Sequence, residues 1–215
     1  MRSGVAVQKA LRASGHCVTE IDPLEKGWKL PSNTEVVFLA LHGEYGEDGQ
    51  VQSWLETLGV PYTGTGPEGS RVAFDKELTK QVFEQNVIPT PRWIMLANTR
   101  ALPPTDLGEG WVLKPPRQGS SVGLQIVDAP DQWHEALAIA GDYGGPVLCE
   151  ELIHGREITV GILDKVALPI VEVRPKDGPY DYRNKYTVGA TDYFCPADLP
   201  ADTAKRISEI TLPSF

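Results

Sequence analysis

The sequence contains little cysteine, no long apolar run and no excess of positive charge. Its three cysteines are odd in number and widely spaced, which gives neither a disulfide framework nor a zinc site and indicates a reducing, cytoplasmic location. No run approaches the roughly 18 apolar residues that a membrane-spanning helix requires. The formal net charge of −9 disfavours nucleic acid and anionic membranes as partners, so an anionic substrate would need a local cluster of lysines.

What the chain does contain is the composition of an ordinary globular protein. Its 215 residues are 41% hydrophobic and 23% charged, enough for one large domain or two small ones. Between residues 34 and 62, an apolar run, a glycine-rich loop, a helical pattern and a short strand follow in the order typical of a parallel sheet with helices on its faces. The helical pattern over 3–13 has no strand before it, so we expect that an N-terminal strand is missing.

The sequence after Pro89 has a different pattern, with short apolar strands and few helices. We predict an α+β region there, with a functional loop over 179–190 and a last helix over 201–211. Just before this boundary, apolar periodicity predicts a single helix over 70–86, with Lys80 on a solvated face. The predicted strands cover 17–21, 34–41, 60–62, 93–96, 111–113, 124–127, 146–149, 156–163 and 166–173.

The stretch 111–127 carries the strongest chemical signal. Two apolar runs flank a polar turn, and Lys114 ends the first of them. Small residues in the turn offer backbone N–H groups and two hydroxyls; they are Gly119, Ser120, Ser121 and Gly123. Such a turn could fold over a phosphate chain while Lys114 supplies charge, although a plain hairpin with a flexible tip is the alternative. It matches neither a Walker A loop nor a dinucleotide fingerprint.

Eight short motifs are spread in order over most of the chain. They are LHGEYGEDG (41–49), PYTGTG (61–66), DK (75–76), KPPRQGSSVG (114–123), EE (150–151), GRE (155–157), YDYRNKY (180–186) and YFCPA (193–197). In order and spacing they resemble the motifs of the D-alanine–D-alanine ligases, a family of the ATP-grasp superfamily. No single motif is specific for this family, but the set of eight is.

The resemblance implies an ATP-grasp fold: an incomplete α/β N-terminal lobe over 1–88, an α+β central lobe over 89–175, and the mobile loop and start of a C-terminal lobe over 176–215. It also implies a ligase that makes D-alanyl-D-alanine for peptidoglycan precursors, with ATP and D-alanine as small-molecule partners. In this family ATP converts the carboxylate of the first D-alanine into an acylphosphate, because a free carboxylate is a poor acyl donor. The amine of the second D-alanine then attacks. A homodimer is a further implication.

The resemblance also assigns roles to individual residues. The ATP-binding positions are Lys76, Lys114, Ser120, Ser121, Glu150, Glu151, Ile153, Glu157 and Lys185. The lysines correspond to contacts with the phosphates, Glu150 to the residue that reads the adenine amino group, and Glu157 to the ligand of the ribose hydroxyls. The catalytic positions are Ser120, Lys185 and Tyr186.

Two residues resemble substrate-binding positions. His42 resembles the histidine near the second D-alanine, although a lone loop histidine is also explained as a surface hydrogen-bonding residue. Tyr186 resembles the tyrosine of a mobile loop that closes over the site and hydrogen-bonds to the serine loop. A tyrosine at that place resembles family members that use D-alanine rather than D-lactate as the second substrate.

Some positions of the family have no counterpart in the sequence. The glutamate that holds the first D-alanine precedes the matched region, and the arginine and the magnesium ligands of the last lobe follow it. We therefore expect a chain truncated at both ends, without metal ligands, that is weak or inactive by itself. Two alternatives are an ATP-grasp carboxylate–amine ligase with a different acceptor and a non-catalytic nucleotide-binding remnant.

Overall fold

The computed structural model describes residues 2–163 and 165–211. The chain divides into two compact units, Met1–Phe74 and Asp75–Phe215. This division falls earlier than the boundary predicted near Pro89, because the helix that begins at Lys76 is bonded to the rest of the second unit. Within the described ranges, no helix is both long and apolar enough to cross a membrane.

The first unit contains helices and one parallel pairing. Its helices are α1 (Arg2–Ala13), α2 (Gln50–Thr57) and α3 (Pro67–Phe74). The segments predicted as strands over 34–41 and 60–62 do run parallel, but they pair only through a bridge between Val37 and Tyr62. Val36, beside the bridge, is exposed, so this run is not the buried central strand that its apolar sequence predicts.

The strand predicted over 17–21 is wrong. This segment makes no ladder pairing with any described residue. Instead, side chains of α1 hold it: Arg12 donates to the Val18 carbonyl at 2.8 Å, and Gln8 donates to the Glu20 carboxylate at 3.0 Å. Alternation over five residues is a short pattern, and side-chain hydrogen bonds satisfy the segment without a sheet.

A break at Asp75 separates α3 from α4 (Lys76–Gln85), where the sequence predicts one helix over 70–86. Asp75 has an extended conformation, with φ −93° and ψ 107°. Its Oδ1 accepts hydrogen bonds from the N–H groups of Glu77 at 3.0 Å and Leu78 at 3.3 Å. The single-helix prediction is wrong because an aspartate placed here caps a new helix.

The second unit is built on a four-stranded antiparallel sheet. Its strands are β1 (Trp93–Leu96), β2 (Trp111–Lys114), β3 (Gln125–Val127) and, later in the chain, β4 (Val147–Glu151). In space they follow the order β1-β4-β2-β3, and all four lie where the sequence predicts strands. The register pairs Val112 with Glu150 and Lys114 with Leu148, so β2 and β4 carry Lys114 and Glu150 close together.

One helix, α5 (Trp133–Gly141), covers this sheet, and the hydrophobic core lies between the two. Trp133 and Leu137 are fully buried, and the ring of Trp133 meets that of Trp111 edge-on with centres 5.3 Å apart. The indole N–H of Trp133 donates to the Ala101 carbonyl at 2.7 Å. Trp133 is therefore fully buried with its polar atom satisfied, whereas the buried indole nitrogen of Trp111 has no hydrogen-bond partner among the described residues.

A second sheet and a small hairpin follow. Their strands are β5 (Glu157–Thr159), β6 (Ile162–Leu163), β7 (Val166–Ala167), β8 (Val171–Pro175) and β9 (Thr191–Phe194). The sheet has the order β5-β8-β9, and β6 pairs with β7. The strands predicted over 156–163 and 166–173 are each split, because the N–H of Leu168 bonds to the Gly161 carbonyl and closes the hairpin separately. Asp164 lies outside the described residues.

A short helix, α6 (Tyr182–Tyr186), occupies part of the loop predicted over 179–190. Asp181 caps it by accepting from the Asn184 N–H at 2.8 Å, and the buried Asn184 amide donates to two carbonyls of the same segment. The predicted loop is thus a folded turn around one buried amide. The last helix, α7 (Ala201–Thr211), has the predicted bounds.

Candidate functional site

The first turn of α4 is fixed to the turn that follows β2. The Oδ2 of Asp75, whose other oxygen caps the helix, accepts from Arg117 Nε at 2.8 Å. The N–H of Lys76 donates to the Pro116 carbonyl at 3.0 Å, and Lys76 Nζ donates to the Gln118 carbonyl at 2.6 Å. These three bonds place the Lys76 ammonium beside the glycine- and serine-bearing turn.

Lys80 lies one helical turn after Lys76 and is buried, with 6% of its surface exposed. Its ammonium donates to Thr90 Oγ1 at 2.6 Å and to the Pro91 carbonyl at 3.0 Å, and it forms an ion pair with Glu150 Oε1. The prediction of a solvated Lys80 is wrong, because this position of α4 faces the buried end of β4.

The carboxylate of Glu150 lies between two lysines. Oε1 pairs with Lys80 and Oε2 with Lys114, and the Glu150 side chain is almost fully buried. Burial alone would raise the pKa of Glu150, but the two ammonium groups outweigh that effect and hold this pKa below its usual value. The resemblance assigns this residue to the adenine amino group, and its second role as a link between lysines is not visible in the sequence.

Lys76, Lys114 and Lys185 form a group of positive charges. Burial lowers the pKa of Lys76, and repulsion from Lys114 and, more weakly, Lys185 acts in the same direction. Glu150 and Asp75 oppose this shift. Lys76 therefore lies close enough to Lys114 and to Lys185 to be repelled by both, and a bound polyanion would relieve that repulsion.

Two serines at the tip of the turn after β2 meet α6. Ser120 Oγ lies 2.7 Å from the Tyr186 hydroxyl, and Lys185 Nζ donates to Ser121 Oγ at 2.7 Å. Both serines have left-handed backbones, with φ 56° and 58°, a region that non-glycine residues rarely adopt. The structure thus brings together the three residues predicted to be catalytic, Ser120, Lys185 and Tyr186.

Tyr180 supports Lys185, although the sequence pattern does not single it out. Lys185 Nζ lies 5.1 Å from the centre of the Tyr180 ring, within the range of a cation–π contact. The Tyr180 hydroxyl is 2.9 Å from that of Tyr193. This hydrogen bond, together with burial, raises the pKa of Tyr180 to about 12. The available signal was an aromatic residue close to a lysine in the 180–186 motif.

The remaining predicted ATP residues follow Glu150 along the chain. Glu151 faces the other side of β4, where its carboxylate accepts from the backbone N–H and Nε of Arg92 at 2.9 and 2.6 Å. Ile153 is 60% exposed, so its side chain is available for contact with a flat apolar ring. Burial raises the pKa of Glu157 and the charge of Lys185 opposes this shift, so these two side chains lie within electrostatic reach of each other.

His42 belongs to the first unit, in the glycine-rich loop. Its ring is exposed, and the Nδ1 atom lies 4.0 Å from Glu47 Oε1. The acidic residues of this loop shape its turns: Glu47 accepts from the Gly43 N–H at 2.6 Å, and Asp48 accepts from two backbone N–H groups. Among the residues that the structure describes, no group of three or more His, Cys, Asp or Glu side chains could hold a metal ion.

Comparison with known families gives two matches that cover most of the chain. Residues 4–65 match the family described as D-ala D-ala ligase N-terminus, and residues 83–215 match the D-ala D-ala ligase C-terminus. A D-alanine–D-alanine ligase of Methylacidiphilum infernorum is 40% identical over 215 residues, which are 100% of this chain and 70% of that protein.

Solved structures give the same result. The crystal structure of D-alanine–D-alanine ligase from Bacillus anthracis aligns with a TM-score of 0.73 and 36% identity, over 86% of this chain and 61% of that one. The same ligase complexed with ATP aligns with a TM-score of 0.71 and 34% identity, over 86% and 60%. The chain therefore spans about three fifths of the length of these structures.

Proposed function

Because the chain belongs to the D-alanine–D-alanine ligase family, we propose that it binds ATP and joins two D-alanines into D-alanyl-D-alanine. The carboxylate of the first D-alanine would take the γ-phosphoryl group of ATP, and the amine of the second would attack the acylphosphate with loss of phosphate. The product would serve peptidoglycan precursor synthesis in the cytoplasm. The observation that carries this proposal is the meeting of three lysines with the serine turn in the second unit.

The phosphate chain would bind where these donors converge. Lys76 and Lys114 contribute ammonium groups from α4 and β2, and Lys185 contributes one from α6. Ser120 and Ser121 add hydroxyls and the backbone N–H groups of a tight turn. Charge-assisted hydrogen bonds from such donors stabilise the negative charge that moves between oxygens during phosphoryl transfer.

The nucleoside would bind along the segment that follows β4. We propose that Glu150 accepts from the adenine amino group while it also pairs with lysine, since a carboxylate has several lone-pair directions. Ile153 would contact the base, and the carboxylate of Glu157 would accept from the ribose hydroxyls. Backbone groups at Glu151 would complete the recognition of the base.

The contact between Tyr186 and Ser120 would close the site. A hydrogen bond from α6 to the serine turn places two segments over the phosphate region and limits the access of water, which would otherwise hydrolyse an acylphosphate. Tyr186 would contribute to binding of the second D-alanine, which is the role that the family resemblance implies for it. Among the described residues no group of three or more His, Cys, Asp or Glu side chains could hold a metal ion, and no step of the proposal passes through one. A homodimer is part of the proposal only through the family resemblance.

The test is carried out on the purified 215-residue chain. ATP binding is measured by calorimetry, and phosphate release is measured with magnesium and either D-alanine, L-alanine or no amino acid. D-alanine-dependent release supports the full proposal, whereas ATP binding without release supports the non-catalytic alternative. Absence of ATP binding at millimolar concentrations would overturn the assignment of the lysine cluster. Replacing D-alanine as acceptor with D-serine or D-lactate tests the alternative of a different acceptor.

A further inference from the structure

The two lysines that share Glu150 are held in different ways. A lysine ammonium has three N–H donors, and for Lys80 all three have a partner: Thr90 Oγ1, the Pro91 carbonyl and Glu150 Oε1. Only 7% of the Lys80 side chain is exposed. Its ammonium therefore has neither a free donor nor room to turn toward another ligand.

Lys114 has fewer constraints. Within the described part of the chain, Glu150 is the sole hydrogen-bond or ion-pair partner of its ammonium, and 25% of its side chain is exposed. It lies at the end of β2, where the turn with Ser120 and Ser121 begins. A rotation of its flexible side chain would exchange Glu150 for a phosphate oxygen, whereas Lys80 would stay in place.

This exchange has an electrostatic requirement. Withdrawing Lys114 would leave the Glu150 carboxylate buried, and a buried charge without a partner is strongly unfavourable. Lys80 removes this penalty because its ion pair with Oε1 persists. Repulsion between the two ammonium groups also weakens the hold of Glu150 on Lys114.

We propose that Lys80 is a positioning residue that keeps Glu150 paired, so that Lys114 can leave this carboxylate and bind a phosphate group of the nucleotide. The inference rests on the proposed ATP-binding function, because it supplies the phosphate. It goes beyond that function by assigning a role to a lysine that would not itself touch the ligand. A purely structural Lys80 would stabilise the unit without changing the chemistry of Lys114.

The first experiment needs no nucleotide. The wild-type chain and the variants Lys80→Met, Glu150→Gln and Lys80→Met/Glu150→Gln are acylated with an N-hydroxysuccinimide acetate at one mildly alkaline pH, and modification of Lys114 is followed by peptide mass spectrometry. Lys205, an exposed lysine 3.8 Å from Glu209, is the reference within each sample. We expect Lys114 to react about fivefold more slowly in Lys80→Met, since Glu150 then holds it alone, and to recover in the double variant.

The second experiment measures ATP affinity for the same four proteins. Lys80→Met should weaken ATP binding by about tenfold in the wild-type background and by little in the Glu150→Gln background, because Lys80 acts through that carboxylate. Circular dichroism and thermal unfolding check the fold. If Lys80→Met does not fold, Lys80→Gln takes its place in the cycle, because it removes the charge while its amide can still donate to Thr90 or the Pro91 carbonyl. The expected slowing of Lys114 acylation and its recovery in the double variant are unchanged.

The outcomes separate the two proposals. Unchanged or faster acylation of Lys114 in Lys80→Met overturns the role of Lys80, whether or not ATP binds. An equal loss of ATP affinity with and without the Glu150 charge also overturns it. If the wild-type chain binds no ATP but Lys114 reacts more slowly in Lys80→Met, the proposed function fails while the coupling between the lysines stands.

Discussion

The hydroxyl of Tyr186 lies 2.7 Å from Ser120 Oγ, although the two residues are 66 positions apart in the sequence. This bond links α6 to the turn that follows β2, as does the bond from Lys185 to Ser121. The ring of Tyr182 packs against that of Tyr186 with centres 4.8 Å apart. Access to the lysine cluster therefore depends on whether these two segments remain together.

We expect Tyr186→Phe to loosen this link without disturbing the sheet. Loss of one side-chain hydrogen bond removes about 1 kcal/mol, so cleavage at Arg183 by trypsin should become roughly fivefold faster. The control is Tyr182→Phe, which keeps both rings and leaves the bond from Tyr186 to Ser120 intact. Equal cleavage rates in Tyr186→Phe and wild type would show that the bond does not hold the segment.

Lys185→Ala should weaken ATP binding. The variant removes an ammonium that donates to Ser121 and that would contact a phosphate, and the loss of such a charged donor corresponds to about tenfold in affinity. Lys176→Ala is the matched control, because Lys176 is an exposed lysine in the same region that pairs with Asp192 at 3.4 Å. Calorimetric titration with ATP distinguishes the two, and a similar loss in both would indicate only a general effect of charge.

Asp75→Ala should destabilise the start of α4. The variant loses the cap for two N–H groups, which is worth about 1 kcal/mol, and also frees Arg117 from its carboxylate. The control, Arg117→Ala, removes an exposed partner only and should have a smaller effect. Urea denaturation gives the comparison, and equal midpoints for Asp75→Ala and wild type would contradict the role of the cap.

The pH dependence of stability should show the contribution of the ion pairs that Glu172 makes. Its carboxylate is buried between Arg156 and Arg174, which lie at 2.5 and 2.9 Å, and their hydrogen bonds lower the pKa of Glu172 to about 2. A lowered pKa in the folded state means that the stabilisation is present above the ordinary value near 4.5 and is lost as the pH falls toward 2.

Glu172→Gln should therefore have a lower melting temperature at neutral pH, and the difference from wild type should narrow between about pH 4.5 and 2. Thermal unfolding across this pH range is the measurement. Glu209→Gln, which removes one partner of an exposed pair, is the control and should follow the wild-type profile. A difference that stays constant with pH would rule out the ion pairs as its cause.

The sheet of the second unit could be predicted because its signals are local. Trp93–Leu96 is an apolar run that follows two prolines, and Trp111–Lys114 is ended by two more. Short apolar runs bounded by prolines in this way are typical of strands. In the first unit the same kind of run at 34–41 forms only a bridge, since an apolar run does not determine how many strands pair with it.

The environment of Lys80 could not be predicted, because its burial depends on Glu150, a partner far along the chain. The same helical pattern accommodates either a solvated or a buried lysine at that position, and only the tertiary pairing decides between them. Likewise, the sequence pattern places Asp75 inside one long helix. Its extended backbone is explained only by its contacts in the structure, which are the cap of the new helix and the bond from Arg117. The resemblance gave the candidate ATP residues, but not the residues that position them, such as Lys80 and Asp75.

The left-handed backbones of Ser120 and Ser121 restrict which mutations this turn can accept during evolution. A β-branched residue at either position would be strained, and glycine would relax the backbone but remove a hydroxyl that bonds to α6. Asparagine and aspartate tolerate this conformation, yet neither can supply a hydroxyl. Two adjacent positions on an exposed turn, where sequence drift is normally easy, are thus confined to a very small set of amino acids.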